Sequence, residues 1–313
     1  MTRRSFIKIV ALSPFALQLE AKESPGYTVE ERDTLMGTFV QMRGIGVAQE
    51  TLSETVRYMK GLEPIFSRFD EESGLSLLNR EGWLKNGHRE LMKVLHLAHA
   101  AYTETGGAFD VTILPVLLHF ETYRKPLTDK EEEQFKKVVG FEKVDLDTRS
   151  AAVKTKGTKL TLDGIATGYI IDCAVKHLRD RGCAGVLVDV GGDIYCGRNG
   201  KKGWEVGIYD PLRDRILRRL KLDATAVCTS GNYVNYYSED KKLHHIIDPR
   251  RLVSPSNLVS VTAVASTTVR ADMLSTAIFV AGEKGKRFLK DGERAYLVTQ
   301  DGREKILSGN LPS

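Results

Sequence analysis

From Val144 onward the chain alternates short β-rich runs with glycine and charged turns, and this order restricts the possible folds more than any other feature. The runs are Ala151 to Val153, Lys159 to Leu162, Gly185 to Val190, Trp204 to Tyr209, Ile216 to Leu222, Ala224 to Thr229, Leu243 to Ile247, Ser260 to Ala265 and Ala295 to Thr299. Helical patterns interrupt them at Thr167 to Arg181, from about Arg270 to Val280, and near Glu283 to Lys290. That is the order of an α+β fold, mixed sheets with packed helices, and it disfavours the regular βαβ series of a doubly wound dinucleotide fold.

The N-terminal half adds helices. Tyr27 to Gly44 reads as a strand with a tight backbone around Met36-Gly37-Thr38. Leu52, Val56, Met59 and Leu62 recur with helical spacing, and Glu63-Pro64 is expected to end that helix. Ser73 offers an N-cap to a second, Arg89 to Thr103 carries an apolar stripe stopped by Gly106-Gly107, and Thr128 with Glu131 has the spacing of a capping box for a charged helix reaching Val139.

Before these elements, Arg3-Arg4 precede the apolar run Ile9 to Leu19 and then Ala21. The run is too short to span a bilayer, so residues 1–21 are expected to be a twin-arginine-type export signal, leaving a soluble periplasmic domain over 27–308. No cysteine follows the run for lipid attachment, and no membrane anchor is evident. The net charge of +5 is spread along the 313 residues without interleaved aromatics, which argues against nucleic acid as a partner. Cys173, Cys183, Cys196 and Cys228 lack metal-ligand spacing and read as structural thiols. His96 and His99 stand three apart on a helix flank with no third ligand in a matching position.

Several glycine turns carry acids or precede helices. In Thr105-Gly106-Gly107-Ala108-Phe109-Asp110 the tandem glycines allow close approach of a ligand, Phe109 offers a ring to stack on, and Asp110 is an acceptor for an amine or ribose hydroxyl. Leu162 to Tyr169 sets glycines before a helix whose free amides suit a phosphate, and Gly191-Gly192-Asp193 is a second such turn. Neither matches the dinucleotide fingerprint or the P-loop. In His244-His245-Ile246-Ile247-Asp248-Pro249 an extended backbone would turn the two histidines to opposite sides, leaving one of them for a given site as a general base. Asp272 and Thr276, four apart on one helix face, present a carboxylate and a hydroxyl to one hard cation.

The motifs M-G-T, F-S-R-F-D with S-x-L-S-x-L-N, T-G-G-A-F-D, G-I-A-T-G-Y-x-x-D, V-G-G-D-I, T-S-G-N-Y, H-H-I-I-D-P and A-D-M-L-S-T, in this order from about Thr34 to Gly282, resemble the ApbE family of FAD:protein FMN transferases. The resemblance implies an α+β, T-fold-related architecture with FAD in a cleft between lobes and Mg²⁺ at its pyrophosphate. It implies that Met36 and Phe69 border the flavin or adenine pockets, that Ala108, Phe109 and Asp110 hold the nucleotide, and that Asp163, Tyr169 and Ile247 add cofactor contacts. The cation would be held by Asp272, Thr276 and the carbonyl of Ala166, with His245 the base that deprotonates the incoming hydroxyl.

The activity so implied is transfer of FMN from FAD to a threonine or serine hydroxyl of an acceptor flavoprotein, with release of AMP. Two neighbouring readings share the motifs: a Mg²⁺-dependent FAD pyrophosphatase, in which water replaces the protein hydroxyl, and an FAD-binding carrier without catalysis. By the same resemblance Thr167 stands where most relatives have lysine, and Arg270 or a second cation is a candidate to replace that charge. Arg250-Arg251-Leu252-Val253-Ser254 replaces the arginine, threonine and glycine that usually follow the D-P turn.

Overall fold

The single strand expected over Tyr27 to Gly44 divides in two, β1 (Thr28–Leu35) and β2 (Thr38–Ile45), because Met36 and Gly37 adopt φ of 50° and 77° and reverse the chain. Such two-residue turns match the twist of an antiparallel pair. The computed structural model describes residues 28–183, 185–200 and 203–309, so the expected export signal at 1–21 lies outside the described residues. Among those described, no helix is long and apolar enough to cross a membrane.

Helix α1 (Gln49–Phe66) buries Leu52, Val56, Met59, Leu62 and Phe66. It continues past Pro64, contrary to the expected stop, because Phe66 is sealed in the core and meets the Tyr169 ring edge-on at 5.8 Å. Helix α2 (Gly74–Glu81) starts at the Ser73 hydroxyl, which accepts from the Ser76 amide, and stops at Gly82 in the left-handed region. After the short strand β3 (Trp83–Leu84) comes α3 (Arg89–Thr105), closed by Gly106 at φ 59°. Helix α4 (Leu114–Tyr123) is absent from the sequence reading, since L-P-V-L-L-H-F is apolar on every side and carries no helical period. Helix α5 (Asp129–Lys136) has both arms of the Thr128/Glu131 capping box but ends before Val139.

Strands β4 (Val144–Leu146) and β5 (Ala151–Val153) join β3 in a small sheet. The expected strand at Lys159 to Leu162 is a single bridge from Lys159 to Ile113. The remaining elements are α6 (Ala166–Asp180), β6 (Val186–Val190), β7 (Asp193–Cys196), β8 (Trp204–Asp210), β9 (Arg215–Leu222), β10 (Thr225–Gly231), β11 (Leu258–Ala265), α7 (Thr268–Ala281), β12 (Arg294–Thr299) and β13 (Glu304–Ser308). A 3₁₀ helix, Gly282–Phe288, stands where an α-helix was expected.

The main sheet has the order β1-β2-β6-β7-β10-β11-β12-β13, antiparallel throughout. Alternate residues serve its two faces. On β6, Val186, Val188 and Val190 enter the main core with α1, α6 and α7, whereas Leu187 packs with Trp204, Val206 and Ile208 of the β8/β9 ribbon on the opposite face. Burial on both sides leaves every residue of β6 and β11 buried, including Asp189, Ser260 and Thr262, so neither strand alternates apolar with exposed polar positions. A third cluster packs Leu114, Leu117 and Phe120 of α4 against Leu243, Ile247 and Leu252, which brings the histidine segment to α4.

Candidate functional site

Two helix N-termini meet at one corner. Asp272, in the first turns of α7, is 6% exposed, and its Oδ2 accepts from the Gly168 amide of α6 at 3.2 Å. The two helices approach this closely because residue 168 is glycine: a Cβ there would lie 2.7 Å from the Thr268 carbonyl oxygen and 2.8 Å from the Val269 Cα. Ala166, the first residue of α6, is fully buried two residues away. Thr276 shares the helix face with Asp272, and its hydroxyl lies 3.1 Å from the Ser230 hydroxyl at the end of β10. Ser230 also contacts Ser275 at 2.7 Å, so the T-S-G-N-Y segment is tied to the A-D-M-L-S-T helix through three hydroxyls.

Acids of like charge crowd this corner. Burial raises the Asp272 carboxyl well above its usual range, and Asp193 of β7 and Asp172 of α6 push it further by repulsion. Asp193 is raised in turn, by burial first and by Asp189. A partly satisfied carboxylate beside others of the same sign, together with hydroxyl oxygens, is a donor set for a hard divalent ion. Among the described residues no group of three or more His, Cys, Asp or Glu is arranged to hold a metal ion by itself.

The two helix ends are not equivalent. Asp172 caps α7, accepting from the Thr268 and Val269 amides at 2.8 and 2.9 Å, which explains the final acid of G-I-A-T-G-Y-x-x-D and removes those amides from any phosphate. At the start of α6 the N-cap residue Ile165 makes no side-chain cap, but the Ala166 amide donates to the Leu162 carbonyl at 2.8 Å and the Gly168 amide to Asp272, so Asp272 takes one amide of α6 where Asp172 takes two of α7. The Gly191-Gly192 turn serves the β6/β7 hairpin, and its Gly192 amide is taken by Asp189 at 2.9 Å, so it is not the second phosphate turn the sequence suggested. Arg270 does not stand in for the lysine absent at 167. Its guanidinium is held by Glu104, by both oxygens of Glu293 and by the Phe288 carbonyl.

The nucleotide segment lies beside the corner, since a Cβ on Gly164 would sit 3.5 Å from both Phe109 Cε2 and Thr276 Oγ1. The Phe109 ring is 4% exposed and packs inward with Ala108, so it is not the open stacking surface expected from the sequence. Asp110 lines a pocket of about 170 Å³ with Tyr102, Gly106, Gly107, Val139, Gly140, Glu142, Pro249 and Arg250. Its Oδ1 accepts from the Thr112 amide and hydroxyl at 2.8 and 2.7 Å, and burial pushes its carboxyl up to about 6. Phe69 is exposed, 44%, and the Arg68 guanidinium lies 4.2 Å from its ring centroid. Met36 is half-buried at the β1/β2 turn. The Tyr169 hydroxyl is committed to Glu90 of α3, so its side chain is directed away from the metal corner toward α3.

The histidine pair divides its roles without being a strand. Only isolated bridges order the segment, Tyr236 with His244 and Asp248 with Val253, instead of the expected Leu243 to Ile247 strand. His244 is fully buried, with Nε2 on the Pro255 carbonyl at 2.9 Å, and desolvation holds it neutral with a pKa of about 4. His245 is half-buried, and its Nδ1 meets the Asn235 carbonyl at 2.9 Å, which makes Nδ1 the protonated nitrogen and leaves Nε2 as the basic one. Burial lowers its pKa, while Asp163 and Glu121, facing it from the turn before α6 and from α4, oppose that shift. Ile247 is buried against α4, 5% exposed, so its side chain serves packing. His96 and His99 are engaged elsewhere, His96 with the Asp147 carbonyl at 3.0 Å and His99 stacked on Phe141.

The chain is similar to known proteins over most of its length. A model of the ApbE family matches residues 36–298. The FAD:protein FMN transferase of Vibrio cholerae serotype O1 is 27% identical over 97% of this chain and 97% of its own length, and that of Haemophilus influenzae is 28% identical over 88% and 86%. The crystal structure of the ApbE protein from Thermotoga maritima superposes with a TM-score of 0.80 at 29% identity, covering 89% of this chain and 96% of the other. With the family match spanning most of the chain, the protein belongs to the ApbE family.

Proposed function

We propose that this enzyme transfers the FMN moiety of FAD to a threonine or serine hydroxyl of an acceptor flavoprotein and releases AMP, with Mg²⁺ as the required ion, and that it acts after export to the periplasm. The supporting observation is the metal corner: a buried, repelled carboxylate on Asp272, the Thr276 hydroxyl and the first residue of α6, Ala166, gathered by the close packing at Gly168. Asp272, Thr276 and the Ala166 carbonyl would hold the ion, and the chemistry it supplies is charge neutralisation at the pyrophosphate.

The protein's own groups account for the rest of the step. The N-terminus of α6 directs its dipole, and the Thr167 amide between the engaged Ala166 and Gly168 amides, toward a phosphate. Asp110 accepts hydrogen bonds from the nucleotide in its pocket. His245 Nε2 takes the proton as the acceptor oxygen forms its bond to the FMN phosphorus, and the bond from that phosphorus to the bridging oxygen breaks, AMP leaving with the bridging oxygen. A neutral imidazole is required for this, and burial keeps His245 in that form near neutral pH.

The test is incubation of the purified chain with FAD, Mg²⁺ and an acceptor protein carrying an exposed threonine. Covalent yellow label on the acceptor with one AMP per label is the expected result. Free FMN without label would replace this reading with the pyrophosphatase, and intact FAD with the non-catalytic carrier.

A further inference from the structure

The hydroxyls that join the end of β10 to α7 form a chain with a fixed direction. Cys228 and Ser230, two apart on β10, face the same side, where the Cys228 thiol meets the Thr268 carbonyl at 3.6 Å. Thr229 between them turns the other way, its hydroxyl 2.8 Å from that of Thr262 on β11. Ser230 Oγ lies 2.7 Å from Ser275 Oγ and 3.1 Å from Thr276 Oγ1. Ser275, 1% exposed, donates in turn to the Asp272 carbonyl one turn back along α7, at 2.8 Å.

These three contacts are served by three hydroxyl hydrogens, one from each side chain. The Asp272 carbonyl can only accept, so the Ser275 hydrogen is committed to it. The contact between Ser230 and Ser275 then requires Ser230 to donate, and the contact between Thr276 and Ser230 requires Thr276 to donate. No other assignment gives every contact a hydrogen. Thr276 is left presenting lone pairs alone, on an oxygen that faces the turn before α6, since a Cβ on Gly164 would lie 3.5 Å from it. A hydroxyl in that state suits a cation and has no hydrogen to offer an anionic oxygen.

We propose that Ser230 is a positioning residue for the ion: by accepting the Thr276 hydrogen it aims the lone pairs of that hydroxyl at the cation, and Ser275 with the Asp272 carbonyl sets the direction of the chain. This rests on the reading of Asp272 and Thr276 as ligands. Without Ser230 the Thr276 hydroxyl is released to rotate, and its hydrogen can turn into the corner against the ion.

The experiment is titration of the FAD-free full chain with Mn²⁺, an ion with the same preference for oxygen ligands, the unbound ion being read by electron paramagnetic resonance. Ser230→Ala is expected to weaken binding about 10- to 100-fold, the usual effect of losing an outer-shell partner. Ser230→Thr, which keeps a hydroxyl, is expected to retain most of the affinity. Thr276→Val is expected to weaken binding as well, and adding Ser230→Ala to it to cause no further loss, because both changes break one chain. Ser275→Ala tests the same count if Ser230→Ala does not fold: it frees the Ser230 hydrogen to donate to Thr276, and weaker binding is again expected. A folded Ser230→Ala or Ser275→Ala with unaltered affinity beside a weakened Thr276→Val overturns the proposal and leaves the ligand reading intact, as do additive losses in the double variant or a Ser230→Thr as weak as Ser230→Ala. Unaltered affinity in Thr276→Val removes that residue from the ion, and the proposal falls with it.

Discussion

Replacing Asp110 by asparagine separates what this carboxylate costs the fold from what it gives the ligand. Asp110 is 7% exposed, and the two hydrogen bonds from Thr112 both end on Oδ1, which an asparagine carboxamide retains through its own oxygen. Burial raises its pKa from 3.8 to about 6. A folded-state pKa above the unfolded one means that the native protein binds the proton more tightly, so the residue costs nothing below the unfolded value and increasingly more as pH rises. The cost grows by about 1.4 kcal/mol per unit between the two pKa values and is constant above them. Asp110→Asn is therefore expected to stabilise the FAD-free protein by about 3 kcal/mol at pH 8 and by about 1 kcal/mol at pH 4.5. Urea unfolding of both proteins at the two pH values measures the gap. The same variant is expected to bind FAD roughly 10- to 100-fold more weakly at pH 8, the worth of a hydrogen bond to a charged acceptor. A stability gap independent of pH, or a destabilised variant at pH 8, would refute the argument that an ionised Asp110 is retained at the expense of the fold.

Asp272→Asn removes the repelled carboxylate, so the metal-free protein is expected to gain stability toward high pH, to lose its thermal stabilisation by Mg²⁺, and to turn over at least about 100-fold more slowly. An undiminished Mg²⁺ effect on melting would show that the ion binds elsewhere. His245→Ala is expected to slow transfer by about 100- to 10,000-fold while fluorescence titration gives nearly the original FAD affinity, and a large loss of binding would make it a ligand contact instead. Gly168→Ala places a methyl 2.7 Å from the Thr268 carbonyl oxygen, so it is expected to cost about 1–3 kcal/mol in denaturant unfolding and to weaken the Mg²⁺ response, whereas a silent substitution would mean that α6 and α7 can separate freely.

Local chemistry was legible wherever a short stretch of chain fixes it. The capping box at Thr128 and Glu131, the glycine stop after α3 and the helices carrying an apolar stripe all follow from side chains within one or two turns of each other. Where burial on all sides erased the period, the reading failed: α4 passed unnoticed, and the histidine segment was taken for a strand although its order comes from packing against α4. The Pro64 stop failed similarly, because anchoring of Phe66 in the core outweighs the local preference.

The sequence by itself determined the α+β class, the family, and the residue types available for a phosphoryl transfer, since each is written in composition and motif order. It did not determine which groups meet. Only the tertiary structure decided that each helix end is capped from the other helix, α7 by Asp172 and α6 by Asp272, and that Arg270 is occupied by Glu104 and Glu293. It likewise decided that Arg68 pairs with Glu121 and Asp163, residues 53 and 95 positions away. Ion pairs and desolvation act through space, over a few ångströms, and no spacing along the chain encodes contacts that the packing of the sheet and helices brings together.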